Sequence, residues 1–123
     1  MRRRGLWVFN ILKKFQYIIT DIEVIRYEIE EDQIRIQIKL ELRDGSLLVI
    51  RDYKFSDNSR KYVYHWMDKT GNLRIRWDNA AHWKTVGTFP HHKHVLNEED
   101  IRESTETDIE SVLACIKGHI GDK

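Results

Sequence analysis

The segment Gln33-Ile34-Arg35-Ile36-Gln37-Ile38-Lys39-Leu40-Glu41-Leu42 alternates polar and aliphatic residues without a fault. A period of two puts every aliphatic side chain on one face of an extended chain, whereas a helix would scatter them around its circumference. This is a half-buried β-strand, and one buried face beside one wetted face is the mark of an antiparallel sheet. Runs rich in β-branched and aromatic residues follow the same reading at about 22–30, 46–55, 60–68 and 72–78. The links between them are short: Glu31-Asp32, Asp44-Gly45, Ser56-Asp57-Asn58-Ser59 and Thr70-Gly71. Short links join antiparallel neighbours, because a parallel pair needs a long crossover. The sequence therefore predicts a five-stranded antiparallel meander.

Helical spacing brackets the strands. Leu6, Phe9, Leu12 and either Phe15 or Gln16 recur at intervals that predict a helix over about 6–18. Ile109, Val112, Leu113, Ile116 and Ile120 form one stripe near the other end, with Ser104 or Thr105 as cap and Asp108 completing a variant capping box. Helices at both ends, packed on one face of the sheet, give an α+β sandwich. At 123 residues, 41% hydrophobic and 33% charged, the chain suits one folded domain spanning 1–123 and excludes fibrous and disordered classes. Charges interrupt every apolar run, so no membrane span is expected. Met1-Arg2-Arg3-Arg4 and the apolar residues after it mimic a signal peptide, but Asn10, Lys13 and Lys14 break the run and no cleavage site follows. Cys115, the single cysteine, excludes an internal disulfide and reads as a small core filler. A cytoplasmic setting follows as the expectation.

Loop length fixes register, and register fixes which side chains share a face. A two-residue Asp44-Gly45 loop sets Leu42 opposite Leu47, Leu40 opposite Val49 and Ile36 opposite Tyr53. A four-residue loop over 56–59 sets Tyr53 opposite Tyr62, Arg51 opposite Tyr64 and Val49 opposite Trp66. A Thr70-Gly71 loop sets Trp66 opposite Ile75 and Tyr64 opposite Trp77. The helix-covered face then holds Ile34, Ile36, Ile38, Leu40, Leu42, Leu47, Val49, Tyr62, Trp66, Leu73, Ile75 and Trp77, with Arg51 as a misfit. On the outer face His65 falls opposite Arg76, Met67 opposite Arg74 and Val63 opposite Asp78, with Ile50 and Asp52 alongside. The plain reading of that face is a cross-strand charge pair. The sharper one is a site.

Charge and histidine are unevenly spread. Residues 51–96 hold nine basic and four acidic residues and five of the six histidines, whereas residues 97–123 hold three basic and eight acidic residues. A basic, histidine-rich centre suits an anionic ligand. His82 precedes Thr88-Phe89-Pro90-His91-His92-Lys93-His94-Val95, where three imidazoles fall within four residues. Imidazole moves protons near neutral pH and its neutral form binds metals. Three readings of this segment stand together: it lies across the outer face beside His65 and Arg76, it holds a metal through His91, His92 and His94, or it is a polar loop.

Tyr62-Val63-Tyr64-His65-Trp66, Arg76-Trp77-Asp78-Asn79-Ala80-Ala81-His82 and the run from Thr88 to Val95 resemble the signature blocks of TumE-type toxins, the toxin partner of bacterial and archaeal toxin–antitoxin pairs. The resemblance covers about 20–95, and Phe89-Pro90-His91-His92-Lys93-His94 is its most specific element. Ala81 stands where the family's pattern has Pro, and Trp83 where a second His is frequent. The resemblance implies growth inhibition relieved by a cognate antitoxin protein, and leaves the reaction open.

The residues themselves suggest metal-independent RNA cleavage without a cofactor. Such cleavage needs a base for the 2′-hydroxyl proton, an acid for the leaving 5′-oxygen and cations for the phosphate. His65 and His92 serve as the acid–base pair, Arg76 and Lys93 as phosphate ligands, and Asp78 as the group orienting His65 or Arg76. His82, His91 and His94 are interchangeable candidates, and Trp83 can stack a base. The alternatives are a metal-dependent hydrolase built on His91, His92 and His94, and a non-enzymatic module that docks protein or nucleic acid.

Overall fold

The computed structural model describes residues 7–121; the basic N-terminal stretch and Leu6, read above as the helix start, lie outside them. The element order is α1 (Trp7–Lys14), β1 (Ile19–Glu30), β2 (Gln33–Leu42), β3 (Leu47–Lys54), β4 (Arg60–Met67), β5 (Leu73–Asp78), β6 (His92–Val95), β7 (Ile101–Glu103) and α2 (Ile109–Ile120). The seven strands form one antiparallel sheet in chain order, so the expected five-stranded meander gains two strands. Both are short and polar, and β6 is the histidine segment itself. Nothing in its composition favours a strand. The open edge of β5 makes it one by supplying unpaired backbone groups.

Three hairpins close in the same way. Gly45, Asn58 and Gly71 each take a left-handed backbone, with φ of 85°, 68° and 91°. In each, that residue's N–H donates to the carbonyl three residues earlier, and the flanking pair closes the ladder, as when the Leu42 N–H donates to the Ser46 carbonyl at 2.8 Å. These are three-residue loops, a type I turn ending in a left-handed position. The two-residue loops at 44–45 and 70–71 and the four-residue loop at 56–59 are each off by one. Leu40 consequently pairs with Leu48, and Asp52 with Tyr62.

The errors at 44–45 and 56–59 cancel across β3, and a bulge near Met67 offsets the third. That strand alone turns over: Leu48, Ile50 and Asp52 point into the core and Arg51 points out to solvent, which removes the misfit. Strands β4 and β5 keep the expected faces, with Tyr64 opposite Trp77 and His65 opposite Arg76. A bulge at the end of that pair sets Met67 against Leu73 rather than Arg74, and Arg74 lies over the Trp66 ring, 4.9 Å from its centroid.

Val8 and Leu12 of α1 and Ile109, Val112, Leu113 and Ile116 of α2 join the inward residues of β2–β5 in one cluster. Both helices thus cover one face. Asp108 caps α2: its carboxylate accepts from the Ser111 N–H at 2.8 Å, and its own N–H donates to Ser111 Oγ at 3.3 Å. The cap falls later than Ser104 or Thr105 because Ser104 is buried under the turn before it, donating to the Glu106 carbonyl. Cys115 is half-buried on α2. No described helix is long and apolar enough to cross a membrane.

Candidate functional site

Pairing across β3 to β7 sets out two rows on the face opposite the helices. One runs Val49, His65, Arg76, His94, Ile101; the next runs Arg51, Val63, Asp78, His92, Glu103. A guanidinium therefore sits between two imidazoles in the first row, and a carboxylate lies beside an imidazole in the second. Asp78, His92 and His94 are almost wholly buried, at 5%, 1% and 3% exposure, although they face away from the core. The connection over 79–91 accounts for part of that burial: the edge of the Trp83 ring meets His94 with centroids 6.5 Å apart. Asn79 anchors the connection by bonding the Tyr62 N–H and the Arg60 carbonyl through its amide, at 3.0 and 2.7 Å.

Backbone carbonyls orient the two imidazoles. His92 Nδ1 is 3.0 Å from the Pro90 carbonyl and His94 Nδ1 is 2.7 Å from the Glu98 carbonyl. A carbonyl only accepts, so Nδ1 carries the proton on both rings. Nε2 of each then turns toward Asp78, at 2.9 Å from Oδ1 for His92 and 3.5 Å from Oδ2 for His94. Oδ1 also accepts the Ala80 N–H at 3.0 Å, and Oδ2 lies 3.4 Å from Arg76 Nε. Arg76 reaches outward to an ion pair with Glu98 in the β6–β7 connection.

A cleft of about 540 Å³ opens beside this group, walled by Lys61, Val63, Ala80, His82, Trp83 and Glu98 together with Arg76, Asp78, His92 and His94. His65 lines a neighbouring hollow of about 250 Å³ with Val49, Arg51 and Val63. Burial, then the Arg76 charge, hold the His65 imidazole below its ordinary range, with Glu98 opposing.

Of the residues singled out by sequence, the fold brings together His65, Arg76, Asp78, His92 and His94, and sets His82 at the cleft wall. It takes His91 and Lys93 elsewhere, because alternate residues of the segment face opposite ways. His91 Nδ1 meets the Tyr62 hydroxyl at 2.8 Å, and Lys93 pairs with Glu106 at 2.9 Å. A metal site on His91, His92 and His94 is therefore ruled out by direction. Lys61, Asn79 and Glu98 were not foreseen at the cleft; only the acidic run Glu98-Glu99-Asp100, shortly after the histidines, hinted that Arg76 has a partner.

A family model described as Toxin TumE matches residues 8–120. The chain is also similar to the F-box protein CPR1 of Arabidopsis thaliana, 30% identical over 104 residues. That match takes in 80% of this chain and 24% of the plant protein, so the chain spans about a quarter of that relative's length. No solved structure matches.

Proposed function

The chain belongs to the TumE toxin family, and from that membership we propose that it is the toxin of a toxin–antitoxin pair and cleaves RNA at the cleft beside β4–β6. One observation carries the reading: Arg76 stands between His65 and His94 in a single cross-strand row, with Asp78 and His92 in the next. A phosphate held on Arg76 would have groups able to move a proton on both sides. On one side the 2′-hydroxyl gives up its proton as its oxygen attacks phosphorus. On the other the departing 5′-oxygen takes a proton, leaving a 2′,3′-cyclic phosphate and a 5′-hydroxyl. Trp83, 40% exposed at the cleft wall, offers a stacking surface for a base, and Lys61 adds a cation along the backbone. Lys93, tied to Glu106, has no part in it.

Inducible expression of wild type against His65→Ala, Arg76→Ala and His92→Ala, followed by sequencing of cellular RNA ends, tests the proposal. The wild type arrests growth and creates new ends. Loss of a proton-transfer group lowers cleavage by about 10²–10⁴-fold, and loss of the guanidinium by about 10²–10³-fold. Growth arrest with unchanged RNA ends would sink the RNA reading, as would folded variants that cleave like the wild type. Co-expression of the antitoxin restores growth in the wild type.

A further inference from the structure

Asp78, His92 and His94 present three ligand atoms, His92 Nε2, His94 Nε2 and one carboxylate oxygen, that lie within 4.8 Å of one another. His92 Nε2 lies 2.9 Å from Asp78 Oδ1, and His94 Nε2 lies 3.5 Å from the other oxygen, Oδ2. Atoms sharing one ion at roughly 2.0–2.2 Å stand about 3 to 3.5 Å apart in tetrahedral or octahedral arrangements. Both ring-to-carboxylate contacts already stand near that spacing, so the group can close around a cation.

The orientation of the rings makes the case stronger. With Nδ1 of each ring given to a backbone carbonyl, both rings turn Nε2 toward the Asp78 carboxylate. His94 Nε2 is the one fully buried side-chain nitrogen or oxygen among the described residues with no hydrogen-bond partner. Backbone carbonyls on the far nitrogen are also how metal-binding histidines are ordinarily oriented. Arg76 pairs with Glu98 and stands 3.4 Å from Asp78 Oδ2, which leaves Oδ1 to His92 and the Ala80 N–H.

We propose that Asp78, His92 and His94 bind one divalent first-row transition-metal ion. Two imidazoles and a carboxylate suit Zn²⁺, Fe²⁺ or Mn²⁺, with open positions left for water or a substrate oxygen. The site stands whether or not the substrate is RNA. A metal-bound water would serve as the proton-transfer group on the β6 side of Arg76 as well as an imidazole does.

The full-length chain, stripped with a chelator and titrated with Zn²⁺ in the absence of RNA, provides the test. One ion per chain by elemental analysis, with a rise in melting temperature, is expected. Asp78→Asn and His94→Gln weaken binding by more than about ten-fold, while His91→Gln keeps the full equivalent. In the wild type the ¹⁵N resonances of both Nε2 atoms shift on adding Zn²⁺, a readout that requires no variant to fold. Absence of a bound ion in the wild type, or Nε2 resonances that report bound protons undisturbed by the metal, overturns the site. Failure here leaves the RNA proposal standing on its own experiment, and a metal-loaded protein inert toward RNA overturns that proposal and not the site.

Discussion

His65 and Asp52 show how single side chains carry both stability and chemistry. The folded chain prefers neutral His65, first through burial and then through the Arg76 charge, against a smaller pull from Glu98. Between its lowered value and the unfolded value of about 6.5 the unfolded chain binds more protons. His65 therefore contributes stability above about pH 6.5 that is lost as the pH falls through its folded value. His65→Gln should lose less melting temperature than the wild type when the pH drops from about 7.5 to about 5.5, across the ordinary imidazole range. Asp52 is 6% exposed and takes two bonds of 2.9 Å from Arg60, whose Nη1 donates to the Thr107 carbonyl at 2.6 Å. The Tyr64 hydroxyl donates to the same carboxylate, and burial, then the Asp52 charge, push that hydroxyl above its ordinary range. Asp52→Ala leaves Arg60 two-thirds buried without its counter-charge, and urea melts should show a loss of about 3 kcal/mol.

At the scale of elements the hairpins decide the faces. Open space surrounds Gly71, so Gly71→Ala tests the left-handed backbone alone and should cost about 1–2 kcal/mol in chemical denaturation. Asn58 already fills the equivalent place, a residue type that tolerates it better than most. The β6–β7 connection holds Glu98 over Arg76 as an internal anion. Glu98→Gln should free the guanidinium and tighten binding of a short RNA, measured by fluorescence anisotropy at fixed salt; weaker binding would argue that Glu98 positions Arg76 rather than competing for it. The long strands and α2 were legible because each carries a clean period over eight or more residues. Loop lengths were not, since Asp44-Gly45 serves a two-residue loop or the end of a three-residue one equally well.

Across the whole molecule α2 ties the meander together. It begins beside the Thr107 bond to Arg60 on β4, pairs with α1 through Lys14 and Glu110 at 3.1 Å, and ends at Gly121, whose carbonyl accepts from Arg43 after β2. Its buried stripe closes the core over strands β2 to β5. Leu113→Ala should therefore weaken the entire fold by about 3–5 kcal/mol, seen as a lower denaturation midpoint with an unchanged slope. At the other end of the sheet β1 is an open edge of twelve residues with exposed Ile22, Val24, Ile25 and Ile29. Two register shifts and interleaved charges along β1 blunt it against pairing with other chains.

Periodicity, which is local, determined the strands from 22 to 78 and the apolar stripe of α2; each follows from side chains a few residues apart, whereas the pairing of His65 with Arg76 needed a bulge to offset the longer 69–71 loop. The identity of β6 and β7 was decided by a neighbour's unpaired edge, because their own residues favour no conformation strongly. Membership of the cleft was decided in the same way. Asp78 and His92 are fourteen positions apart in sequence, and only an antiparallel ladder sets them side by side while sending His91 and Lys93 to the opposite face.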